Sequence, residues 1–445
     1  MPLNLQSAGL GDGTRSVPAT FMQKIIVEKP YAFIPPYRTT FWSTVIRALR
    51  IHQFYLWRSE GVTDYEVRNI ERLRASIDAG HSVLVTPNHP RTADPLAMGW
   101  LTVEGNTHVY SMASWHLFHR NWLNSWAIRA MGGFSVNREG VDRQAINMAV
   151  DLLAEGKRPM IIFPEGATSR TADRLQAMLD GVAFIARAAA KKRAKQSPPG
   201  RVVVHPIAVK YYYGGDIRRA ADEVLTDIER RLTWQPQRDL SLLARILKVG
   251  SALLSLKEIE YLGNAQPSRL AERMSRLMDR LLGPIELEWF GRVQTGPVVP
   301  RVRGLRTKIL PDMVAGRVTP EERTRRWQQL SEIYLAQQLS AYPPDYLARP
   351  TVDRVLEMIE KFEEDLTDKA RLHGQLKVVL QIGAAIDVSP ERDKRAPIDP
   401  LMTAIQSSLQ SMIDELAAAS PLLEEPRPVS TPELESPPAT AENGS

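Results

Sequence analysis

Cysteine is absent from the 445-residue sequence. Disulfide bridges, thiolate metal sites and a cysteine nucleophile are therefore excluded, and the composition fits a reducing compartment. Long apolar runs are missing too: no stretch approaches the roughly 20 apolar residues that a helix needs to cross a bilayer. The polar first 20 residues also lack the pattern of a secretory signal peptide. We therefore expect a cytoplasmic protein that does not span a membrane.

Basic residues outnumber acidic ones, and the net charge is +6. Residues 421–445 run against this trend, with five glutamates, one arginine and many prolines and serines, and we expect them to form a disordered acidic tail. The positive charge is therefore concentrated in residues 1–420. It favours an anionic membrane surface, nucleic acid or a phosphorylated substrate, and charge alone does not choose among them.

Strand and helix patterns alternate between about residues 65 and 213. Short apolar runs such as Ser82–Thr86 and Arg201–Lys210 are separated by amphipathic stretches such as Arg143–Glu155. This alternation predicts an α/β domain with a mixed sheet flanked by helices. The charged, amphipathic stretch Tyr65–Ala79 is predicted to be a helix.

The following 150 residues or so have a different pattern, which predicts one helix after another. Prolines are expected to interrupt these helices. The predicted breaks are Pro236, Pro284, residues 294–311 and Pro343-Pro344. Strand character returns at Leu376–Gly383, and a last helix is predicted from about Pro400 to Ala419. No internal repeat is predicted.

The segment Thr86–Leu96 contains a histidine and an aspartate that could work together. On a straight helix, His89 and Asp94 would point about 140° apart, so they can converge only in a non-helical loop. Pro90 disfavours helix after the histidine, and Asp94-Pro95 is typical of a helix start. A neutral histidine held by a carboxylate can take a proton from an alcohol near neutral pH. The alternative is a helix-capping aspartate beside an unrelated histidine.

Two further blocks combine glycine with a polar side chain. In Met131–Arg138, Gly132 and Gly133 predict a tight turn into a short strand that ends at Arg138, and arginine is suited to bidentate phosphate binding. In Phe163-Pro164-Glu165-Gly166, a strand leads directly to a glutamate that could orient an acceptor hydroxyl. A surface arginine and a turn glutamate are the alternatives for these two blocks.

A fourth block is the valine-rich strand around Pro206. Proline within a buried strand predicts a bulge or an edge position. We interpret the neighbouring His205 as structural.

In this order the four blocks resemble the four motifs of the glycerolipid acyltransferase family, which contains the lysophosphatidate and glycerol-3-phosphate acyltransferases. The resemblance covers residues 65–213 and resumes at Val378–Pro390. It implies that the helical block between these regions, residues 214–372, is a large insertion within one catalytic domain. The predicted organisation is a leader with an amphipathic helix at 1–64, a catalytic core at 65–213, the helical insertion at 214–372, the last strand and helix of the core at 373–420, and the tail at 421–445.

The resemblance implies one-step transfer of a fatty acyl group to a hydroxyl of a lysophospholipid or glycerol phosphate, with 1-acylglycerol-3-phosphate as the expected acceptor. His89 would be the base, and Asp94 would hold it. The residues expected to bind the acceptor or its phosphate are Arg138, Glu165, Gly166, Thr168, Ser169 and Arg170. The residues expected to support the motifs are Asn88, Gly132, Gly133, Phe163, Pro164 and Pro206. Many relatives have Thr-Arg-Ser after the third motif, whereas here the arginine is displaced to Arg170, which leaves the acceptor open.

The acyl donor implied by the resemblance is acyl-CoA or acyl-carrier protein, and no bound cofactor, metal ion or nucleic acid is expected. Because the acceptor is a lipid, we expect peripheral association with an anionic membrane surface. The candidate contacts are Phe41–Trp57, which could instead pack on the core, Trp115–Trp126 and Leu242–Leu256. The basic helix Phe184–Lys195 could meet the phosphates of the acyl carrier or anionic lipid, and a solvated helix end is the alternative. A non-catalytic lipid-binding or scaffold protein with the same fold is the alternative function, and a hydrolase is a third.

Overall fold

The computed structural model describes residues 29–343, 345–367, 370–393, 395–396 and 398–424. The predicted leader up to residue 28 and the predicted tail from residue 425 lie outside these residues. The first tail residues are described, and they pair with the start of a helix: Val352 N donates to Pro421 O over 2.9 Å, and Leu423 N donates to Pro350 O over 2.8 Å.

A single sheet of eight strands forms the centre of the described structure. Its strands are β1 Val62–Arg68, β2 Ser82–Pro87, β3 Tyr110–Ser114, β4 Gly133–Val136, β5 Met160–Ile161, β6 Val202–Tyr213, β7 Leu376–Ile382 and β8 Ile386–Asp387. They lie in the order β1-β7-β6-β2-β5-β3-β4, and β8 pairs with β6. This mixed sheet with flanking helices confirms the predicted fold class.

Strand direction determines where the ends of the strands meet. Strands β6, β2, β5, β3 and β4 are parallel, whereas β7 runs antiparallel to β6 and parallel to β1. The carboxyl ends of the five parallel strands therefore lie along one edge of the sheet, which we call the carboxyl edge. The loops that begin at this edge carry the residues considered below.

Fifteen helices are found in the described part of the chain. They are α1 Phe41–Ala48, α2 Ile51–Glu60, α3 Ile70–Asp78, α4 Asp94–Ala97, α5 Gly99–Glu104, α6 Trp122–Ala130, α7 Arg143–Glu155, α8 Gly181–Arg193, α9 Ile217–Arg231, α10 Leu242–Leu262, α11 Leu270–Phe290, α12 Val298–Val314, α13 Pro320–Ser340, α14 Val352–Thr367 and α15 Pro400–Ala418. None of them is long and apolar enough to cross a bilayer.

The sheet has a buried core on each face, because successive side chains of a strand point to opposite sides. In β2, Val83 and Val85 join one core with Leu73 of α3, whereas Leu84 joins the other core with Leu152 of α7. Helices α3, α9 and α14 contribute to the first core, and α7, α8 and α15 contribute to the second.

The helical insertion leaves and rejoins the sheet at one point. Tyr213, the last residue of β6, pairs with Leu376, the first residue of β7, and Gly214 N donates to Gln375 O over 2.8 Å. Helices α10 to α13 have a separate apolar core that includes Leu277, Leu305 and Leu330. The insertion therefore interrupts two neighbouring antiparallel strands and has its own core.

A repeated contact joins successive helices of this insertion, which corrects the prediction that no internal repeat is present. A fully buried glutamate near the end of each helix accepts a hydrogen bond from the backbone N–H of a glutamine eight residues later. The same glutamate forms an ion pair with an arginine on the next helix, at 2.8–2.9 Å. The three sets are Glu229, Gln237 and Arg245; Glu258, Gln266 and Arg273; and Glu286, Gln294 and Arg301.

Three further predictions about elements were wrong. Residues 65–68 are not helical, because Val62–Arg68 pairs along its length with β7. Pro284 does not break α11, since α10 and α12 pack around that helix, and the predicted break over 294–311 contains most of α12. Pro206 lies in the central strand β6, where pairing passes from β8 to β7, so its missing N–H falls in a gap between partners.

Candidate active site

His89 and Asp94 converge in the loop that leaves β2 at the carboxyl edge. His89 Nδ1 lies 2.8 Å from Asp94 Oδ2, and both side chains are almost fully buried. Asp94 is the first residue of α4, not its N-cap, and its Oδ2 also accepts a hydrogen bond from Arg91 N at 2.8 Å. The loop thus folds back on itself and orients the imidazole through Nδ1, so that Nε2 is left for other chemistry.

Tyr211 completes this arrangement, and sequence reasoning did not identify it. Its hydroxyl donates to Asp94 Oδ1 over 2.6 Å, and the residue is 2% exposed. Tyr211 lies near the end of β6, on the face that also carries Val209. Alternation along β6 was the available signal, because it places a tyrosine hydroxyl at the carboxyl edge beside the loop after β2.

Glu165 supports the backbone of the histidine loop. Its Oε1 accepts from His89 N at 2.7 Å, and its Oε2 accepts from Gln176 N at 2.9 Å. Burial raises the pKa of this carboxyl to about 7, although the two backbone donors oppose the shift. Glu165 thus lies beneath the histidine loop with both oxygens engaged, and it is a candidate positioning residue as well as a candidate contact for an acceptor.

The residues expected to support the motifs lie around His89. Asn88 donates to Val209 O at 3.1 Å and accepts from Val209 N at 2.6 Å, which extends the pairing of β2 with β6. The Phe163 ring lies 4.2 Å from the His89 ring, centroid to centroid, and Pro164 O accepts from Leu179 N over 2.8 Å. These contacts fix both ends of the histidine loop.

Glycine is required in two of these turns. Gly132 has a φ of 87°, and a Cβ there would collide with Val109 O. A Cβ on Gly133 would meet the backbone of Ile128. Gly166 has a φ of 68° and lies against Leu179. The turns before β4 and after Glu165 therefore need residues without a side chain.

The buried His205 has bonds on both ring nitrogens. Its Nε2 lies 2.9 Å from Ser76 Oγ, and its Nδ1 lies 2.9 Å from Gly383 O. It therefore joins α3 and β7 to β6, in agreement with the structural interpretation of this residue.

Two of the residues after the third block lie against helices of the insertion. Ser169 is buried, and its N–H donates to His89 O at 2.8 Å, whereas Thr168 lines a small cavity with Gln337 of α13. Arg170 forms an ion pair with Glu364 of α14. The guanidinium expected to bind an acceptor is thus already paired with a carboxylate of the insertion.

Helix α14 covers this side of the carboxyl edge with acidic side chains. Glu360 binds Arg91 at 2.6 Å, and Glu357 accepts from Ala172 N at 3.1 Å. A polar cavity of about 290 Å³ lies beside these pairs, lined by Arg91, Arg170 and Glu360 among others. The insertion therefore forms part of the wall of the candidate site.

Arg138 follows β4, farther along the same edge. It lies near His116, which follows β3, and near Arg303 and Arg306 of α12. Burial and the like charges of Arg306 and Arg303 lower the pKa of Arg138 to about 10. Burial and the nearby arginines lower the pKa of His116 to about 3, so this histidine adds no charge at neutral pH.

The arrangement supplies a base with a free nitrogen, a buried carboxylate that orients it, and a cationic region three strands away. Among the described residues, no group of histidine, aspartate and glutamate side chains has the arrangement of a metal site. Because the imidazole is held through Nδ1, proton transfer at His89 Nε2 is a reaction that these side chains can perform.

Comparison with known proteins identifies the same region. Residues 64–210 match the family model described as Acyltransferase. The matched segment contains all four sequence blocks and ends one residue before Tyr211. No curated protein matches the chain.

Proposed function

We propose that the chain transfers a fatty acyl group from acyl-CoA or acyl-carrier protein to a hydroxyl of a lysophospholipid, with 1-acylglycerol-3-phosphate as the preferred acceptor. The match of residues 64–210 to the family model described as Acyltransferase supports this proposal. The observation that carries this proposal is the buried contact between His89 Nδ1 and Asp94 Oδ2. It leaves Nε2 without a hydrogen bond from the described residues.

In the proposed reaction, His89 Nε2 removes the proton of the acceptor hydroxyl as its oxygen attacks the thioester carbonyl carbon. Asp94 stabilises the imidazolium that forms. When the tetrahedral intermediate collapses, the carbon–sulfur bond breaks, and the imidazolium returns its proton to the departing sulfur. The products are the ester and a free thiol, and no covalent acyl-enzyme is needed.

Arg138 is proposed to bind the phosphate of the acceptor. A guanidinium presents two parallel donors to a phosphate, and this one has no hydrogen-bonding partner among the described residues. By contrast, Arg91 and Arg170 are paired with Glu360 and Glu364. We therefore assign phosphate recognition to the β4 side of His89.

Contact with a membrane is proposed through an exposed group of aromatic and aliphatic side chains on α1, α2, the turn between them and α6, which we call the aromatic patch. Trp42 of α1 stacks edge-on against Trp126 of α6 at 5.1 Å, so the helices are neighbours. Interfacial helices commonly insert such side chains into the headgroup region. The patch consists of Phe41, Trp42, Leu49, Ile51, Phe54, Tyr55, Trp57, Trp122 and Leu123, each 41–79% exposed.

The test is release of free thiol from palmitoyl-CoA, with and without lysophosphatidate in vesicles, by the wild-type protein and His89→Ala. Release that requires lysophosphatidate and is lost in the variant supports acyl transfer by His89. Release without an acceptor identifies a thioesterase. No release, including with other lysophospholipids and with acyl-carrier protein as donor, favours a non-catalytic lipid-binding protein.

A further inference from the structure

Helix α12 of the insertion brings two arginines to the loop after β4. Arg306 forms an ion pair with Glu139, and Arg303 Nη2 donates to Gly140 O over 3.4 Å. Both arginines lie close enough to Arg138 to lower its pKa. Three guanidiniums from two distant parts of the chain therefore share one small region, which we call the arginine cluster: Arg138, Arg303 and Arg306.

The charges within the arginine cluster do not balance. Glu139 is the carboxylate that acts on Arg138, and its Oε1 is already bound to Arg306. The nearby Asp142 uses its two oxygens to accept from Asn137 N and Ala145 N, as the N-cap of α7. Hydrogen bonds from backbone N–H groups do not cancel the charge of Asp142, so the three guanidiniums and the two carboxylates leave an excess of about one positive charge, which favours binding of a phosphate anion.

A purely structural role, in which the arginines anchor the insertion to the loop after β4, would not account for the excess positive charge. One ion pair, Arg306 with Glu139, is enough to join α12 to the loop. Arg306 Nε is nevertheless buried without a hydrogen-bonding partner in the described residues. Buried guanidinium donors without acceptors cost free energy unless a ligand satisfies them.

We propose that Arg303 and Arg306 of the helical insertion complete, with Arg138, a site for a phosphate group of a substrate. The proposal rests on the acyl transfer proposed above, which supplies two phosphate-bearing substrates. Planar guanidiniums suit this ligand because each can bind two phosphate oxygens at once. The insertion thus contributes binding residues to a site that the four sequence blocks contain only in part.

The arginine cluster lies at a place on the carboxyl edge where its phosphate could come from either the acyl donor or the acceptor. Strands β2 and β4 are three positions apart in the sheet, or about 14 Å at the usual strand spacing. The long pantetheine arm of CoA spans such a distance. If the hydroxyl of lysophosphatidate lies at His89, the phosphate of the same molecule can contact the arginine cluster only if Arg138 extends toward β2.

Binding of inorganic phosphate tests the site without any catalysis. We expect phosphate to raise the melting temperature of the wild-type protein more than sodium chloride at equal ionic strength, because a ligand bound to the folded state stabilises it. Arg303→Gln leaves the Arg306–Glu139 pair intact and should weaken phosphate binding on the order of tenfold. The matched control is Lys308→Gln, which removes an exposed charge from the same helix. Equal phosphate effects in wild type and Arg303→Gln would overturn the proposal.

Kinetics then identify the source of the phosphate. A rise of about tenfold in KM for lysophosphatidate, with no change for monoacylglycerol as acceptor, assigns the cluster to the acceptor. A similar rise in KM for palmitoyl-CoA, with no change for palmitoyl-pantetheine, assigns it to the donor. Unchanged KM values for all four substrates would overturn the proposal, even for an active acyltransferase. If the wild-type protein transfers no acyl group, the phosphate-binding comparison still decides whether the site exists.

The double variant Arg306→Gln with Glu139→Gln removes the ion pair without leaving a lone charge. It should weaken phosphate binding at least as much as Arg303→Gln. Normal phosphate binding by this folded double variant would exclude Arg306 from the site.

Discussion

Asp94 accepts hydrogen bonds from three parts of the chain: the His89 ring, the Arg91 backbone and the Tyr211 hydroxyl. Donors on both carboxylate oxygens hold it in one orientation. A carboxylate fixed in this way selects the histidine tautomer with the proton on Nδ1, and it stabilises the imidazolium during proton transfer.

Asp94→Asn should therefore abolish most of the activity. An amide in place of the carboxylate favours the wrong tautomer, and a fall in kcat on the order of 10³- to 10⁴-fold is expected. The measurement is thiol release at saturating lysophosphatidate, with circular dichroism as the control for folding. A folded variant that keeps more than a tenth of the wild-type kcat would contradict this role of Asp94.

Tyr211→Phe should have a smaller effect, because His89 and Arg91 still hold Asp94. The loss of one hydrogen bond to a charged group corresponds to about 1.5–3 kcal/mol. We expect kcat to fall by roughly tenfold, with a lower urea midpoint. A loss as large as that of Asp94→Asn would instead make Tyr211 part of the proton-transfer chemistry.

The pKa of Glu165, which burial raises to about 7, makes stability depend on pH. The folded state holds this proton more tightly than the unfolded state does. Stability contributed by the protonated form is therefore complete below about pH 4.5, decreases as the pH rises to about 7, and is constant above that.

The comparison of wild type with Glu165→Gln isolates this effect. Between pH 4.5 and pH 7, the free energy of unfolding of the wild type should fall by roughly 3 kcal/mol relative to that of Glu165→Gln. Glu272→Gln, which changes an exposed glutamate of α11, serves as the control. A difference between wild type and Glu165→Gln that stays constant over this range would show that the Glu165 pKa is not raised.

At the scale of helices, the repeated glutamate contact should stabilise the insertion strongly. Glu258→Gln leaves the guanidinium of Arg273 buried without its counter-charge, and a loss of about 3–5 kcal/mol is expected. Glu258→Gln with Arg273→Met should recover much of this loss, as measured by urea unfolding. Glu260→Gln, which breaks an exposed pair with Lys257, should change stability by no more than about 1 kcal/mol. Equal effects of the two single variants would contradict the importance of the buried contact.

Elements with a strong local pattern were predictable from the sequence. Helix α7 has the predicted bounds, and the pattern of β2 and β6 was clear because both strands are buried on two faces. Residues 65–68 were not predictable in the same way, because their strand conformation depends on pairing with β7, about 310 residues later. Helix α12 was missed because two prolines and a glycine weaken its local signal, whereas packing against α11 and α13 stabilises it.

The candidate site was predictable only as far as its motifs are local. His89 and Asp94 are five residues apart, so their meeting could be inferred from the prolines between and after them. The contact of Tyr211 with Asp94 and the pairing of Arg170 with Glu364 join residues more than 100 positions apart. No local pattern encodes such contacts, because the tertiary fold alone brings these residues together.

At the scale of the whole molecule, the aromatic patch predicts where a membrane binds. Phe54 and Trp122 are 65% and 79% exposed, so replacing them with serine should leave the fold intact. Loss of two inserted aromatic side chains should weaken binding to vesicles of phosphatidylcholine and phosphatidylglycerol by at least about tenfold. Cosedimentation measures this effect. The control is Ile398→Ser, which changes an exposed residue just before α15. Unchanged vesicle binding by the double variant would move the membrane contact elsewhere.

The position of β7 between β1 and β6 has a consequence for synthesis on the ribosome. More than 300 residues separate the start of β1 from the start of β7, so at 5–20 residues per second β1 waits roughly 15–60 s for its partner. During that interval the helices of the insertion have already been translated and can pack together. The nascent chain meanwhile leaves one edge of β6 without its antiparallel partner and leaves β1 without any paired strand, and unpaired strand edges of this kind can recruit other chains. Cellular yield of this protein should therefore depend on translation speed and on chaperones that shield those strands until β7 is made.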